Sequence, residues 1–181
     1  MLLLCKHIVC LNFRNMKKLF TIFVLAAAVM VGTNAQAQFE KGDKLLNAGI
    51  NLGGPWGGGF GLGASFEGGI HDYISVGGQI DWVQWTSYWK YNFLTIGARG
   101  SYHFGKHFLT IDNLDLYGGL ALGYRISNDP FDVGWVGTVY DSGVHFGGFA
   151  GARYYFKENL GVFAEVGYNA SPLKAGIAFK F

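Results

Sequence analysis

The nine residues Leu173–Phe181, with the sequence LKAGIAFKF, decide the fold because their side chains alternate strictly between two chemical kinds. One face of the stretch carries Leu173, Ala175, Ile177, Phe179 and Phe181, and the other carries Lys174, Gly176, Ala178 and Lys180. Successive side chains of a β-strand point to opposite faces, so a period of two is typical of a strand with one apolar and one polar side. We expect this strand, which ends on an aromatic residue, to be part of a barrel wall.

The same alternation recurs in seven earlier segments, and each is predicted to be a strand. They are Leu46–Leu52, Leu62–Ile70, Ile74–Trp82, Leu94–Phe104, Leu114–Arg125, Val144–Phe156 and Val162–Tyr168. Most have about the 9–11 residues that a tilted strand needs to cross a membrane, and short and long connections alternate between them. The connection Gly105–Asn113 is too long for this pattern, and one hypothesis is that it extends a strand below the membrane. The eight segments predict an all-β fold, a closed antiparallel up-and-down transmembrane barrel of eight strands.

The composition is unusual for a soluble domain. The chain has 181 residues, which is enough for one domain, and 29 of them are glycine. Charged residues make up 14% of the chain, whereas about 25% is usual. A soluble domain needs more surface charge than this. With 3 prolines and no long polar tract, disorder is not indicated either.

The first 37 residues are predicted to be a leader and not part of the barrel. The positive segment Met16-Lys17-Lys18 precedes the apolar run Leu19–Val31, and the small-residue pattern Ala35-Gln36-Ala37 follows. These features in this order are typical of a cleaved secretory signal peptide, whereas a transmembrane helix would need about 20 apolar residues. We predict that translation starts at Met16, that residues 1–37 are the extension and signal peptide, and that residues 38–181 are the exported barrel domain.

The leader also contains both cysteines and much of the positive charge. Cys5 and Cys10 lie in it, together with four basic residues and no acidic one. The rest of the chain therefore has all 12 acidic residues and fewer basic ones. A disulfide framework or a thiolate metal site is excluded for the mature chain, and no basic footprint for nucleic acid is present.

The alternation of apolar and polar residues does not show which of the two faces points into the barrel. A soluble, lipocalin-like barrel would turn its apolar face inward to hold a ligand, whereas a membrane barrel turns that face towards lipid. The membrane arrangement is favoured because the polar faces carry charges of both signs and the apolar faces end in aromatic residues. Tyr102, Phe104, Tyr154, Phe156, Phe179 and Phe181 lie towards one rim, and Trp82, Tyr124 and Tyr168 towards the other. Two such belts are typical of the two membrane–water interfaces.

The charges of the polar faces form the best-defined candidate site. They are Glu67, Asp81, Arg99, Asp115, Arg125, Arg153, Glu165, Lys174 and Lys180. Opposite charges confined in a lumen should pair, because an unpaired buried charge is strongly destabilising. We expect Glu67–Arg99 and Glu165–Arg153 to be the principal pairs. Because the lumen of an eight-stranded barrel is just wide enough for side chains to fill it, the network predicts a closed interior. A gate or narrow pore is the alternative.

Three parts of the chain carry a resemblance to a known group of proteins. They are Tyr117-Gly118-Gly119-Leu120 with Gly123-Tyr124, the segment Glu165–Tyr168, and the final Phe179-Lys180-Phe181. With the signal peptide and the eight alternating segments, residues 40–181 resemble the small outer-membrane-protein-A and opacity-type barrels of Gram-negative bacteria. The resemblance implies an outer-membrane location, contact with outer-membrane lipid, and insertion by machinery that reads a terminal aromatic strand, which Phe179 and Phe181 match.

Two predicted connections contain aromatic residues that could contact an extracellular ligand or surface. They are Tyr88, Trp89 and Tyr91 in the first connection, and Phe131, Trp135 and Tyr140 in the second. Exposed aromatic side chains can mark a binding surface, but they also occur in the interfacial belts of membrane proteins. Both interpretations stay open at this point.

The sequence offers little for catalysis. Asp141, Ser142 and His145 lie close together, but a nucleophilic mechanism needs the serine beside the histidine, and alternation sends these two to opposite faces. His103 and His145 should both point inward at opposite ends, too far apart to share a metal ion. We therefore predict a non-enzymatic protein without cofactor or metal. Its role would be in envelope structure or in surface contact through its loops; an acyl-transfer enzyme and a soluble carrier are less favoured alternatives.

Overall fold

The computed structural model of the protein describes residues 39–53, 59–86, 90–109, 111–128 and 142–181. The predicted leader lies outside these residues, so its boundary with the barrel domain stays a prediction. Among the described residues, no helix is long and apolar enough to cross a membrane.

The described chain forms a closed barrel of eight strands, each antiparallel to the next in sequence. The strands are β1 Lys44–Leu52, β2 Phe60–His71, β3 Ile74–Thr86, β4 Lys90–His103, β5 Leu114–Asn128, β6 Gly143–Lys157, β7 Leu160–Tyr168 and β8 Leu173–Lys180. All eight predicted segments are present, most of them longer than their alternating cores. The predicted fold class is therefore confirmed.

The barrel closes where the last strand meets the first. Leu46 lies opposite Phe179, and beyond the strand pair the backbones of Lys44 and Phe181 exchange two hydrogen bonds, of 3.0 and 2.9 Å. Gly49 and Gly176 face each other in this seam, and a Cβ on either would collide with a backbone carbonyl of the other strand. The collision would be with backbone, which no side-chain rotation relieves, so the close approach at the seam requires glycine.

The two ends of the barrel differ in their connections. We call the end with the tight turns Asp72–Tyr73 and Glu158–Asn159 the turn end. The opposite end, which we call the loop end, has the connections 53–59, 87–89, 129–142 and 169–172. This arrangement agrees with the alternation of connections that the sequence predicts.

The connection between β4 and β5 corrects an expectation. The hypothesis that Gly105–Asn113 prolongs a strand is wrong, because Gly105–His107 form a short 3-10 helix at the turn end. The amides of Phe108 and Leu109 both donate to the carbonyl of Gly105, at 3.3 and 2.9 Å. Phe108 is 65% exposed and its ring stacks on Phe104, with 5.9 Å between centroids. The chain therefore turns here and does not continue as an extended strand, and an aromatic contact on the outer wall accompanies the turn.

The two faces of the barrel wall are chemically opposite, as the alternation predicts. Leu122, Phe146 and Val166 are 58%, 61% and 57% exposed on the outside, whereas Arg99 and Arg153 are 3% and 0% exposed inside. The apolar face is therefore the outer one, and the inverted arrangement of a ligand carrier with an apolar interior is excluded. In a soluble protein, an apolar surface of this extent would be unusual.

Candidate functional site

The centre of the lumen is organised around the carboxylate of Glu67, which projects inward from β2 and is 1% exposed. Its Oε1 lies 3.2 Å from Nε of Arg99 and 2.9 Å from Nη2 of Arg153. Its Oε2 accepts hydrogen bonds from Ser75, at 2.8 Å, and Ser101, at 2.6 Å. One carboxylate thus ties together strands β2, β3, β4 and β6.

Arg99 extends this cluster across the barrel to β7. Its Nη2 and Nη1 donate to the two oxygens of Glu165, at 2.7 and 3.4 Å. Tyr117 donates to the same carboxylate at 2.8 Å, and the guanidinium carbon of Arg99 lies 4.0 Å from the ring centre of Phe149. Forked hydrogen bonds and an aromatic face together hold the guanidinium in one orientation.

Arg153 connects the cluster to the turn end of the lumen. Its Nη1 donates to Asp115 at 3.0 Å and its Nε donates to Asn47 at 3.1 Å, while its guanidinium carbon lies 3.8 Å from the ring centre of Tyr117. With the bond to Glu67, every nitrogen of this fully buried guanidinium has a polar partner. Full hydrogen bonding is what a buried charge requires.

One expected pair is not formed. Glu67 contacts Arg99 as expected, but Glu165 pairs with Arg99 and not with Arg153. The strand register gives the reason. Asp115 of β5 lies directly opposite Arg153 of β6, whereas Glu165 lies opposite Gly151. Arg153 therefore takes the nearer carboxylate.

A buried chain of hydrogen bonds, which was not predicted from the sequence, runs from Asp115 through His103 to Ser75. Nδ1 of His103 lies 2.8 Å from Asp115, and Nε2 lies 2.9 Å from Oγ of Ser75. The order of the groups is that of a catalytic triad. Ser75 is fully buried, however, and its Oγ is also 2.8 Å from Glu67. The chain thus joins two carboxylates of the ion-pair network and offers no surface to a substrate.

Phe39 covers this chain at the turn end, which sequence reasoning did not detect. Its ring stacks on the imidazole of His103, with 3.6 Å between centroids and 9° between planes, and it is 1% exposed. The segment is held by hydrogen bonds of 2.9 Å from Gly42 to Gly69 and of 2.8 Å from Gly69 to Asp43. Lys180, expected within the network, instead pairs with Asp43 at 3.0 Å and is partly exposed. The aromatic ring therefore covers the imidazole of His103 at the turn end of the lumen.

The loop-end half of the lumen contains the remaining predicted charges. Nζ of Lys174 lies 2.5 Å from Asp81, which also accepts a hydrogen bond from Asn51 at 3.0 Å. Arg125 differs, because Nδ1 of His145 at 3.1 Å is its hydrogen-bond partner and no carboxylate among the described residues pairs with it. The expected ion-pair network therefore connects Glu67, Asp115, Glu165, Arg99 and Arg153, with Asp81–Lys174 as a separate pair.

Most of the predicted loop contacts lie outside the described residues. These are Tyr88, Trp89, Phe131, Trp135 and Tyr140, together with Asp141. Tyr91 belongs to β4. Ser142 is exposed and accepts a hydrogen bond from the amide of Ser127 at 3.0 Å, whereas His145 is buried, so the two lie in different surroundings. No group of three metal-ligating side chains occurs among the described residues.

Removal of the Tyr117 hydroxyl tests the hydrogen bonding of the network. We expect Tyr117→Phe to lower the free energy of unfolding by about 1.5–3 kcal/mol, because a buried hydrogen bond to a charged group is lost. Tyr124→Phe, on the outer face of the same strand, is the matched control and should change it by less than about 0.5 kcal/mol. Urea unfolding of both variants in phospholipid vesicles makes the comparison. Equal effects would contradict the arrangement described for Glu165.

A closed eight-stranded barrel with a polar, ion-paired interior and an apolar outer face is the architecture of the small outer-membrane barrels. Comparison with solved structures places the chain in this fold class. It matches the outer membrane protein OprG from Pseudomonas aeruginosa with a TM-score of 0.52 and 15% identity, over 82% of this chain and 99% of that chain. It also matches the outer membrane protein Ail from Yersinia pestis, in a phospholipid bilayer nanodisc, with a TM-score of 0.51 and 12% identity, over 78% and 100%.

These likenesses show the fold alone, because the sequence identities are low. No family model matches the chain, and no curated protein matches it either. The role of the protein therefore has to be argued from its own residues.

Proposed function

We propose that the protein is an integral barrel of the Gram-negative outer membrane with a closed lumen and no enzymatic activity. Its role is to contribute to envelope structure or to make surface contacts through its loop-end connections. The observation that carries the proposal is the combination of an apolar outer wall with a lumen crossed by Glu67, Arg99, Glu165, Arg153 and Asp115.

The outer wall supports the membrane location. Its exposed side chains are apolar along the strands, and aromatic residues lie at both ends, among them Tyr102 at the turn end and Tyr124 and Tyr168 at the loop end. In hydrocarbon every backbone polar group needs a partner within the protein, and closure of β8 on β1 provides it. The outer surface is therefore suited to contact with lipid.

The stacked rings of Phe179 and Phe181, with centroids 6.5 Å apart, support the proposed route of assembly. They lie on the outer face at the end of β8, where insertion machinery could bind an aromatic strand. The proposal predicts that Phe179→Ser/Phe181→Ser slows insertion in cells more than it lowers the stability of barrels refolded in vitro.

Electrical recording separates a closed barrel from a pore. The ion pairs bridge strands on opposite sides of the barrel, so we expect the wild-type protein in planar bilayers to show no stepwise current at neutral pH. The double variant Glu67→Ala/Arg153→Ala should conduct more often, because the ion pair that crosses the lumen is removed. Regular stepwise currents from the wild-type protein would replace the proposal by its alternative, a narrow pore.

The membrane location has its own test. A closed outer-membrane barrel extracted in detergent should migrate differently on a gel before and after boiling, and it should fractionate with outer-membrane lipid. Recovery of the folded protein in the aqueous fraction without detergent would contradict the proposal.

A further inference from the structure

The guanidinium of Arg125 differs from the other buried guanidinium groups in what surrounds it. Arg99 and Arg153 each bond to two carboxylates. Arg125 is 9% exposed, has no carboxylate partner among the described residues, and its buried Nε has no hydrogen-bond partner there. Nε of Arg99 also lacks a hydrogen bond of normal geometry, but it lies 3.2 Å from Oε1 of Glu67. Arginine stays charged at every physiological pH, so it cannot avoid this environment by losing a proton.

Each carboxylate of the described lumen already has a cationic partner other than Arg125. Glu67, Asp115 and Glu165 are bound by Arg99 and Arg153. Lys174 and Asn51 both contact Oδ1 of Asp81, whereas its Oδ2 has no hydrogen-bond partner among the described residues. Asp81 lies two strands from Arg125, since Thr95 stands between them in the register. No ion pair or hydrogen bond joins Asp81 to Arg125 in the described structure, where the partner of Arg125 is His145.

The neighbours of Arg125 leave a second unsatisfied group at the same place. Nε2 of His145 is buried and makes no hydrogen bond of normal geometry among the described residues, although Asn169 and Asp81 interact with the imidazole, and its Nδ1 bonds to Arg125 at 3.1 Å. The positions opposite Arg125 on the two adjacent strands are Thr95 and Gly143, which carry no charge. A desolvated positive charge therefore coincides with two nitrogens that lack a hydrogen bond of normal geometry.

From these observations we propose that Arg125 and His145 form a site for a small oxyanion inside the loop end of the barrel. An oxyanion of the phosphate class supplies several acceptor oxygens and a negative charge, which is what the planar guanidinium fork binds best. The imidazole contributes a second point of attachment. The inference goes beyond the proposed function, because binding of an oxyanion at this site does not depend on whether the barrel lies in a membrane or in detergent micelles.

Inorganic phosphate is the probe for this site. The full barrel is refolded in a neutral detergent free of phospholipid and lipopolysaccharide, so that no lipid headgroup supplies phosphate. Phosphate is then titrated by calorimetry at constant ionic strength. We expect saturable binding at one site per barrel. Absence of saturable binding to the wild-type protein overturns the proposal.

Variants locate the bound ion. Arg125→Gln should weaken phosphate binding at least tenfold, and Arg125→Lys should give an intermediate affinity because it keeps the charge but not the fork. Lys180→Gln removes a positive charge at the other end of the barrel and should leave the affinity within twofold. Heat-dependent gel migration checks that each variant is folded, and the lysine variant serves if the glutamine variant does not fold. Unchanged binding to Arg125→Gln overturns the proposal.

A carboxylate of the chain itself is the alternative partner for Arg125. Asp129, Asp132 and Asp141 precede β6 and lie outside the described residues. If one of them occupied the site, the wild-type protein would not bind phosphate, whereas the triple asparagine variant would gain binding. That pair of results would overturn the proposal in favour of an internal partner.

Discussion

Replacement of Glu67 by glutamine should lower the free energy of unfolding by about 3–5 kcal/mol, the usual effect of removing one partner from a buried ion pair. The carboxylate contacts Arg99 and Arg153 at 3.2 and 2.9 Å, and glutamine keeps its size but not its charge. The two buried guanidinium groups would then have one carboxylate fewer to pair with. Urea unfolding in phospholipid vesicles, followed by tryptophan fluorescence and gel migration, measures the change.

The matched control is Asp43→Asn, which removes the carboxylate of the partly exposed pair with Lys180 at the turn end. A pair reached by solvent contributes little, so we expect a change of about 0–1 kcal/mol. Similar losses for the two variants would mean that Glu67 is no more important than a rim residue, and the description of a central network would be wrong.

A charge placed on the outer wall should have the second-largest effect. Leu120 is 60% exposed, half-way along β5, so Leu120→Arg would put a guanidinium at the middle of the hydrocarbon. We expect this variant to lose about 2–4 kcal/mol of stability in phospholipid vesicles. The same change at Ile126, on the same face of the same strand but near its loop end, should cost about 0–1 kcal/mol.

The contrast between Leu120→Arg and Ile126→Arg depends on the depth of each residue in the membrane. A soluble barrel would show no such contrast. Both side chains are exposed, so in water both substitutions would be tolerated to within about 0.5 kcal/mol. A negligible effect at both positions would therefore contradict the assignment of the outer wall to lipid.

The sequence predicted the strands and their two faces because both depend on a local period. In LKAGIAFKF the alternation alone separates Ile177, which is 49% exposed, from Lys174, which is 5% exposed. The same reasoning identified the charged residues that project into the lumen. No alignment of strands was needed for these predictions, since each strand shows its own pattern.

The pairing of charges could not be obtained in the same way, because it depends on the register between strands. Whether Arg153 meets Asp115 or Glu165 is decided by which residue lies directly opposite on the neighbouring strand. Serine side chains such as Ser75 and Ser101 occur on many polar faces, so their convergence on Glu67 had no signal in the sequence. The register of Glu67 with Gly77 on β3 brings Ser75 close.

Phe39 and the short helix Gly105–His107 were missed for a different reason. Phe39 precedes β1 and belongs to no alternating segment, so nothing in the local pattern shows that its ring enters the lumen. The apolar residues Phe108 and Leu109, which follow the helix, resemble a strand continuation. Their contacts with Phe104 and the buried Gly105 became evident only from the packing.

Spin labels on β5 test the central claim most directly. The predicted mature chain has no cysteine, so single cysteines at Leu120, Leu122 and Ile126 can each carry one label. In phospholipid vesicles we expect the labels at Leu120 and Leu122 to collide readily with oxygen and hardly with a water-soluble nickel chelate, and the label at Ile126 to be reached by the chelate. Ready access of the chelate to Leu120 and Leu122 would show that water covers the apolar wall, and would contradict a membrane-spanning barrel.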